Sequence, residues 1–198
     1  MPDHETPDLA PVESLEKELR KPSVASEVWN ALSWVRDLIF SVLIAIVSIV
    51  FIYQPVKVEG TSMMPSLTDQ ERIFINKFTY RFGLGSIERG DTVVFEFPRD
   101  ISKSYIKRVI GLPGDRVRID RGQVYVNDQA LNEDYVEPDF RDDASLPEAM
   151  VPTGQYFVLG DHRNSSSDSR VWGYVPRNYI YGKAVFCYWP LNKMGRLK

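Results

Sequence analysis

The sequence predicts a mainly β protein, with an antiparallel β-sheet domain preceded by one N-terminal transmembrane helix. Three observations predict it. Residues 38–53 (LIFSVLIAIVSIVFIY) form an apolar run without a single charge. From Lys57 onward, short runs of alternating apolar and polar residues are punctuated by Gly, Pro, Asn and Asp, the pattern of half-buried strands joined by tight turns. A chain of 198 residues that is 43 % hydrophobic holds one globular domain with a core and is too apolar for disorder to dominate.

Residues 1–37 carry eight acidic and four basic side chains with several prolines, and read as a solvated tail; an organelle transit peptide would avoid those acids. Residues 38–53 follow as a membrane anchor. At ~1.5 Å per residue a helix of this length reaches about 24 Å, short of a ~30 Å hydrocarbon core unless neighbouring residues such as Trp34 and Val35 extend it. A buried core helix is the competing reading of such a run. A cleaved signal peptide would end in small residues, whereas this run ends Ile52-Tyr53-Gln54-Pro55. Arg20, Lys21 and Arg36 precede the run and Lys57 and Arg72 follow it, so charge alone does not orient it.

The β domain occupies 54–198. Arg89-Gly90-Asp91 leads into a strand over 92–97, and a second run over 105–110 closes at Gly111-Leu112-Pro113-Gly114-Asp115. Runs at 116–119 and 124–126, separated by Asp120-Arg121-Gly122 and followed by Asn127-Asp128, predict hairpins. Residues 132–150 are acidic, lack either period and read as a long solvated loop. Strand character returns at 155–159 and 184–189.

Composition excludes several functions. Lys and Arg number 24 against 27 Asp and Glu, and neither half is basic enough for nucleic acid. Cys187 is the only cysteine and His4 and His162 the only histidines, which leaves no disulfide, thiolate cluster or histidine zinc site.

Directly after the apolar run stands VEGTSMMPSL (58–67), with Ser62 between glycine and methionines. Met63 and Met64 there serve either packing or an apolar edge at a membrane surface. A serine hydroxyl needs a base to become a nucleophile. His162 beside Asp161 suggests a triad, but adjacent residues of an extended chain point to opposite sides. Ser104-Tyr105-Ile106-Lys107 matches an S-x-x-K pattern that works on a helix, whereas these residues have strand composition. Lys107, inside the apolar run YIKRVIG, is either a surface lysine or a buried amine with a lowered pKa, and from the run alone the surface reading is the plainer. Arg89-Gly90-Asp91 reads as turn chemistry rather than an adhesion signal, and Asn164-Ser165-Ser166 is a glycosylation sequon.

Four ordered blocks, VEGTSMMPSL, RGDTVVF, YIKRVIGLPGD and GDHRNSSSDSR, stand behind the apolar run. Together they resemble type I signal peptidase, the bacterial leader peptidase family. The resemblance implies a membrane-bound serine endopeptidase with a Ser/Lys dyad that removes N-terminal signal peptides, and makes the β domain the catalytic one. It implies Ser62 as nucleophile, Lys107 as general base, Ser166 as the hydroxyl that orients the lysine, and Asp168 and Arg170 as supports. Some members carry a serine whose hydroxyl helps the oxyanion hole where Gly60 stands here; only backbone can serve at that position, alongside the Ser62 N–H. Partners so implied are secretory precursors with small residues before the cut, and the lipid bilayer. No metal or organic cofactor is called for. The implied location is a plasma or thylakoid membrane, crossed once, with the catalytic domain on the trans side and residues 1–37 in the cytoplasm. A self-cleaving Ser/Lys repressor-type protease and a noncatalytic tethered β module are the rivals.

Overall fold

Val24–Ile52 contains neither proline nor glycine, and it is a single helix, α1, of 29 residues. The structure, a computed structural model, describes residues 24–78 and 85–197. Most of the expected tail therefore lies outside the described residues, and the part that is described, from Val24 to Asp37, is helical. No residue between 24 and 38 breaks the helix, so its start does not coincide with the change in polarity at residue 38. Side chains from Leu38 to Val47 are between 46 % and 64 % exposed at the large apolar positions. The expectation of a spanning helix over 38–53 is met only as a helix. Among the described residues, none is long and apolar enough to cross a membrane, and the side chains of 48–51 lie outside the described set.

Tyr53 leaves the helix and opens a β unit. Its strands are β1 (Tyr53–Lys57), β2 (Arg72–Asn76), β3 (Thr92–Phe97), β4 (Asp100–Gly111), β5 (Arg116–Asp120), β6 (Gln123–Val126), β7 (Gln129–Ala130), β8 (Leu146–Met150), β9 (Gln155–Leu159), β10 (Val175–Pro176), β11 (Ile180–Trp189) and β12 (Gly195–Arg196). One sheet runs β1-β2-β11-β3-β4-β9-β10, with β12 beside β11, and a smaller sheet runs β7-β6-β5-β8. Every pairing is antiparallel. Pro55 lacks an N–H and sits on β1, an edge strand, where that loss is tolerated. The two hairpin loops of the smaller sheet have positive φ at both residues, Arg121 (46°) with Gly122 (79°) and Asn127 (52°) with Asp128 (66°), the twist that suits a two-residue connection.

The core has three clusters. Val93, Phe95, Val109, Val158 and Trp172 form the first, Trp172 coming from the short helix α2 (Ser169–Trp172). Ile73, Ile75 and Val94 pack with Met63 and Leu67 in the second. Ile110, Phe157 and Leu159 meet Val117 and Val124 of the smaller sheet in the third.

The long loop expected over 132–150 is not a solvated excursion. Glu133 and Val136 are 3 % and 2 % exposed, Pro138–Phe140 make a 3-10 turn, and β8 pairs with β5. Pro147 and Glu148 hide the strand period of β8, and two of the acids read as a sign of solvation, Glu133 and Asp142, meet Arg163 and Arg170 of the 160–170 turn. For the site, the decisive feature is β4. It pairs with β3 from Asp100 to Arg108, but with β9 only from Arg108 to Gly111, so Ile101–Lys107 has a strand neighbour on one side alone among the described residues.

Candidate active site

The segment 58–67 is pinned at both ends. Val58 donates its N–H to the Glu71 carbonyl at 2.8 Å and accepts from Gln70 at 2.9 Å, while Met63 and Leu67, each 1 % exposed, are sunk in the second core cluster. Met63 is therefore a packing residue. Between these anchors Gly60 takes φ +94°, a value few other residues adopt, and the chain turns to present Ser62.

Lys107 comes to Ser62 from β4. Its Nζ lies 2.6 Å from Ser62 Oγ and donates to the Ile106 carbonyl at 3.0 Å. The residue is 4 % exposed. Burial pulls its pKa down to about 8, against the opposing pull of Asp168 and Asp161. An amine in that state is partly neutral in mildly alkaline water, and its lone pair can take the Ser62 proton. Both side chains open into a groove of about 520 Å³ bounded by Val56–Glu59 on one side and Lys103–Lys107 on the other.

The 160–170 turn closes the site from behind. His162 donates its backbone N–H to the Ser62 carbonyl at 3.1 Å, and its Nδ1 is 3.1 Å from the Thr61 carbonyl. Asp161 takes two N–H groups from Arg108, at 2.8 and 2.6 Å. The Asp161 carboxylate thus faces an arginine, and no Ser-His-Asp triad is assembled. Ser104 is exposed on β4 whereas Lys107 is buried, so that pair is not assembled either.

Asp168, fully buried, accepts from the Gly160 N–H at 3.1 Å and from Arg170 at 2.8 Å through both Nε and Nη2. It also caps α2 through the Arg170 N–H. Arg170 reaches on to Asp142 and to the Arg163 carbonyl. Burial disfavours its charge, yet the Asp168 and Asp142 contacts outweigh this and raise its pKa.

Two of the expected site residues stand differently from the sequence reading. The Gly60 N–H points to Asp69 Oδ1 at 2.8 Å, so it is occupied and cannot face an oxyanion; a nearby carboxylate acceptor after a turn is invisible in the block itself. Ser166 Oγ is buried and has no hydrogen-bond partner, so the expected bond to Lys107 is not made here. The sequon side chain Asn164 donates to the Asp139 carbonyl at 3.0 Å. Asp91 of the Arg89-Gly90-Asp91 turn accepts the Glu88 N–H at 3.1 Å and pairs with Lys183, as turn chemistry requires.

Gly160 was not singled out from the sequence. A Cβ built there would lie 2.1 Å from Ser166 Oγ and 2.5 Å from the Ser62 carbonyl oxygen. Only its lack of a side chain lets the turn, Ser62 and Ser166 meet. The signal was its place just after the strand 155–159, at the head of a matching block.

A family model described as "Signal peptidase, peptidase S26" matches residues 31–189. The chain is 38 % identical over 190 residues to a "Probable signal peptidase I-2" of Synechocystis sp., covering 90 % of this chain and 81 % of that one. It is 34 % identical to "Signal peptidase I T" of Bacillus subtilis, covering 92 % and 98 %. A crystal structure of a signal peptidase I from Enterococcus faecalis matches at 33 % identity with a TM-score of 0.45, over 50 % of this chain and 97 % of that one. The family model and the two relatives define a serine endopeptidase, a hydrolase of signal-peptide processing. The chain belongs to the signal peptidase I family, peptidase S26.

Two outcomes follow from this geometry. Gly160→Ala forces a methyl into the Ser62 carbonyl and Ser166, and should lower peptidase activity at least ~10-fold, since a displacement near 1 Å at a reacting group costs up to about 10²-fold; steady-state rates at parental levels would contradict it. Burial holds the Lys107 amine at about 8 in the fold, below its ordinary value of 10.5. The unfolded chain therefore binds the extra proton between those values, and stability should rise with pH across that window. Below pH 8 the full cost stands, on the order of 3 kcal/mol at 1.36 kcal/mol per pKa unit. Lys107→Met should then raise the urea midpoint at pH 7 and flatten its pH dependence between 8 and 10.

Proposed function

We propose that the chain is a membrane-anchored signal peptidase that cuts secretory precursors with a Ser62/Lys107 dyad. The observation that carries this reading is the 2.6 Å contact between Ser62 Oγ and an amine that is almost wholly buried. Neutral Lys107 takes the Ser62 proton as Oγ attacks the scissile carbonyl carbon. The oxyanion so formed faces the Ser62 N–H, which meets no acceptor among the described residues. Lys107, now an ammonium, returns the proton to the leaving amine as the peptide bond breaks. A water then gives its proton to Lys107 while its oxygen attacks the acyl carbon, and the proton passes back to Ser62 Oγ as the ester breaks.

Ser166 orients the amine in this reading. A buried hydroxyl without a partner costs on the order of 1–3 kcal/mol, and Lys107 is the partner the reading assigns to it. Asp168 and Arg170 hold the turn that carries Ser166. The precursor lies extended along the open edge of β4, adding a strand there. Its alternate side chains then point into the same wall, and small residues suit the first and third positions before the cut. Residues 38–53 serve as the anchor, in a plasma or thylakoid membrane. The exposed apolar side chains of that stretch support this. The domain from residue 54 lies on the trans side, where precursor cleavage sites emerge, and residues 1–37 lie in the cytoplasm.

The test is cleavage of a presented precursor in trans by the full-length protein in detergent or lipid. Ser62→Ala and Lys107→Ala should each abolish it, whereas His162→Ala keeps most of it; an inactive but folded His162→Ala would revive the triad. In the wild type, kcat/KM should rise with pH through about 8, because protonated Lys107 has no lone pair to offer. A rate flat from about pH 6 to 10 would overturn Lys107 as the base. For topology, protease added to spheroplasts should digest the domain and spare the tail, and the reverse pattern would refute the orientation.

A further inference from the structure

Glu133 and Tyr135 lie on the connection between β7 and β8, outside every block that carries the family resemblance. On that connection Asp134, Glu137 and Asp139 are exposed, as acids usually are, but Glu133 is 3 % exposed. Both its carboxylate oxygens take N–H groups from Arg163, Oε2 at 3.0 Å. The Tyr135 hydroxyl donates to Oε1 at 2.9 Å, and its ring lies 4.1 Å from the Arg108 guanidinium.

The two arginines so engaged grip consecutive residues of the turn behind Ser62. Arg163 donates its Nε–H to the Gly160 carbonyl at 3.0 Å, and Arg108 holds the Asp161 carboxylate. The next residue, His162, donates its backbone N–H to the Ser62 carbonyl. Stability alone does not account for such an arrangement. A buried ion pair recovers little more than its own desolvation, and apolar residues of similar volume commonly serve folding as well. What apolar residues would not supply is directional grip on a backbone carbonyl and a carboxylate at fixed distances from Ser62.

We propose that Glu133 and Tyr135 are positioning residues of the hydrolytic site: through Arg163 and Arg108 they hold the Gly160–His162 turn against the Ser62 backbone, and so keep the Ser62 hydroxyl on the Lys107 amine. The proposal rests on the Ser62/Lys107 reading above. Glu133→Gln keeps the shape and removes the charge that fixes Arg163. Tyr135→Phe keeps the ring beside Arg108 and removes only the hydroxyl.

The experiment measures kcat and KM separately on a presented precursor, with thermal unfolding of each full-length variant alongside. Glu137→Gln, the same charge change at an exposed position of the same connection, is the control. Expected is a kcat about 10- to 100-fold lower for Glu133→Gln with KM within about threefold, a loss of about 3- to 10-fold in kcat for Tyr135→Phe, and parental kinetics for Glu137→Gln. A folded Glu133→Gln with kcat within about twofold of the parent overturns the proposal, as does a loss carried by KM or an equal loss in Glu137→Gln. If Glu133→Gln shows no cooperative unfolding, Tyr135→Phe decides, and a kcat within about twofold of the parent overturns the proposal. A parent protein that cleaves nothing, or a Ser62→Ala variant that cleaves as fast as the parent, fells the Ser/Lys reading and this inference with it. An active, Ser62-dependent parent with an unaffected Glu133→Gln fells the inference alone.

Discussion

An amine is held out of water at Lys107 without a carboxylate of its own, and the rest of the site is arranged around that constraint. A carboxylate about 4 Å away at an effective dielectric near 20 would favour the ammonium by roughly 4 kcal/mol, close to three pKa units. One such neighbour would undo the fall from 10.5 to about 8. Asp161 and Asp168 do pull in that direction, but each is already engaged by an arginine, Arg108 and Arg170 respectively. The contrast along β4 is direct. Lys107 and Arg108 are adjacent and equally buried; Arg108 donates two hydrogen bonds to the Asp161 carboxylate, whose attraction outweighs its desolvation and raises its pKa, and Lys107 has no such partner.

Arginine suits the task of occupying those carboxylates. Its guanidinium keeps its charge under all ordinary conditions and offers donors in a fixed fork, so it neutralises a carboxylate and grips a carbonyl at once. Arg170 binds Asp168 and the Arg163 carbonyl, Arg163 binds Glu133 and the Gly160 carbonyl, and Arg108 binds Asp161 and the Gly90 carbonyl at 2.9 Å. The same contacts that remove stray negative charge from the neighbourhood of Lys107 also fix the backbone behind Ser62. Gly160 is the point where the two demands meet, because any side chain there would push the turn away from the Ser62 carbonyl.

Much of this was legible in the sequence, for reasons that differ by residue. The strands over 92–97 and 155–159 were legible because both are short apolar runs bounded by turn residues, and they appear as β3 and β9 with the expected ends. β4 starts earlier than expected, because Ile101-Ser102-Lys103-Ser104 is exposed and polar enough to conceal a strand. Ser62 and Lys107 stood out through the blocks that contain them, since 45 residues of separation leave no local signal that the two side chains meet. The acidic connection was misread for a physical reason: composition reports charge but not pairing. Glu133 and Asp142 look like solvated acids until Arg163 and Arg170, some 30 residues on, are placed against them. Ser166 Oγ lies against Gly160, buried and without a partner, and its block carries no sign of which group that hydroxyl bonds.

The open edge of β4 places a second demand on the same strand. An unpaired strand edge invites pairing with other chains, and proteins ordinarily blunt it with charge, bulges or cover. β4 carries Ser102, Lys103 and Ser104 along its exposed half, with Lys103 ion-paired to Asp100 at 2.9 Å. Those polar side chains disfavour association with a second apolar edge, while the backbone N–H and C=O groups between 101 and 107 stay free of a strand on that side. A peptidase that adds a substrate strand there needs an edge unattractive to folded neighbours and accessible to an extended chain. Side chains supply the first property and backbone the second, so the two do not compete. Lys107 stands where the edge ends and β9 begins to cover the strand, so one short segment has an open backbone edge and, within a residue, a buried amine whose pKa is lowered.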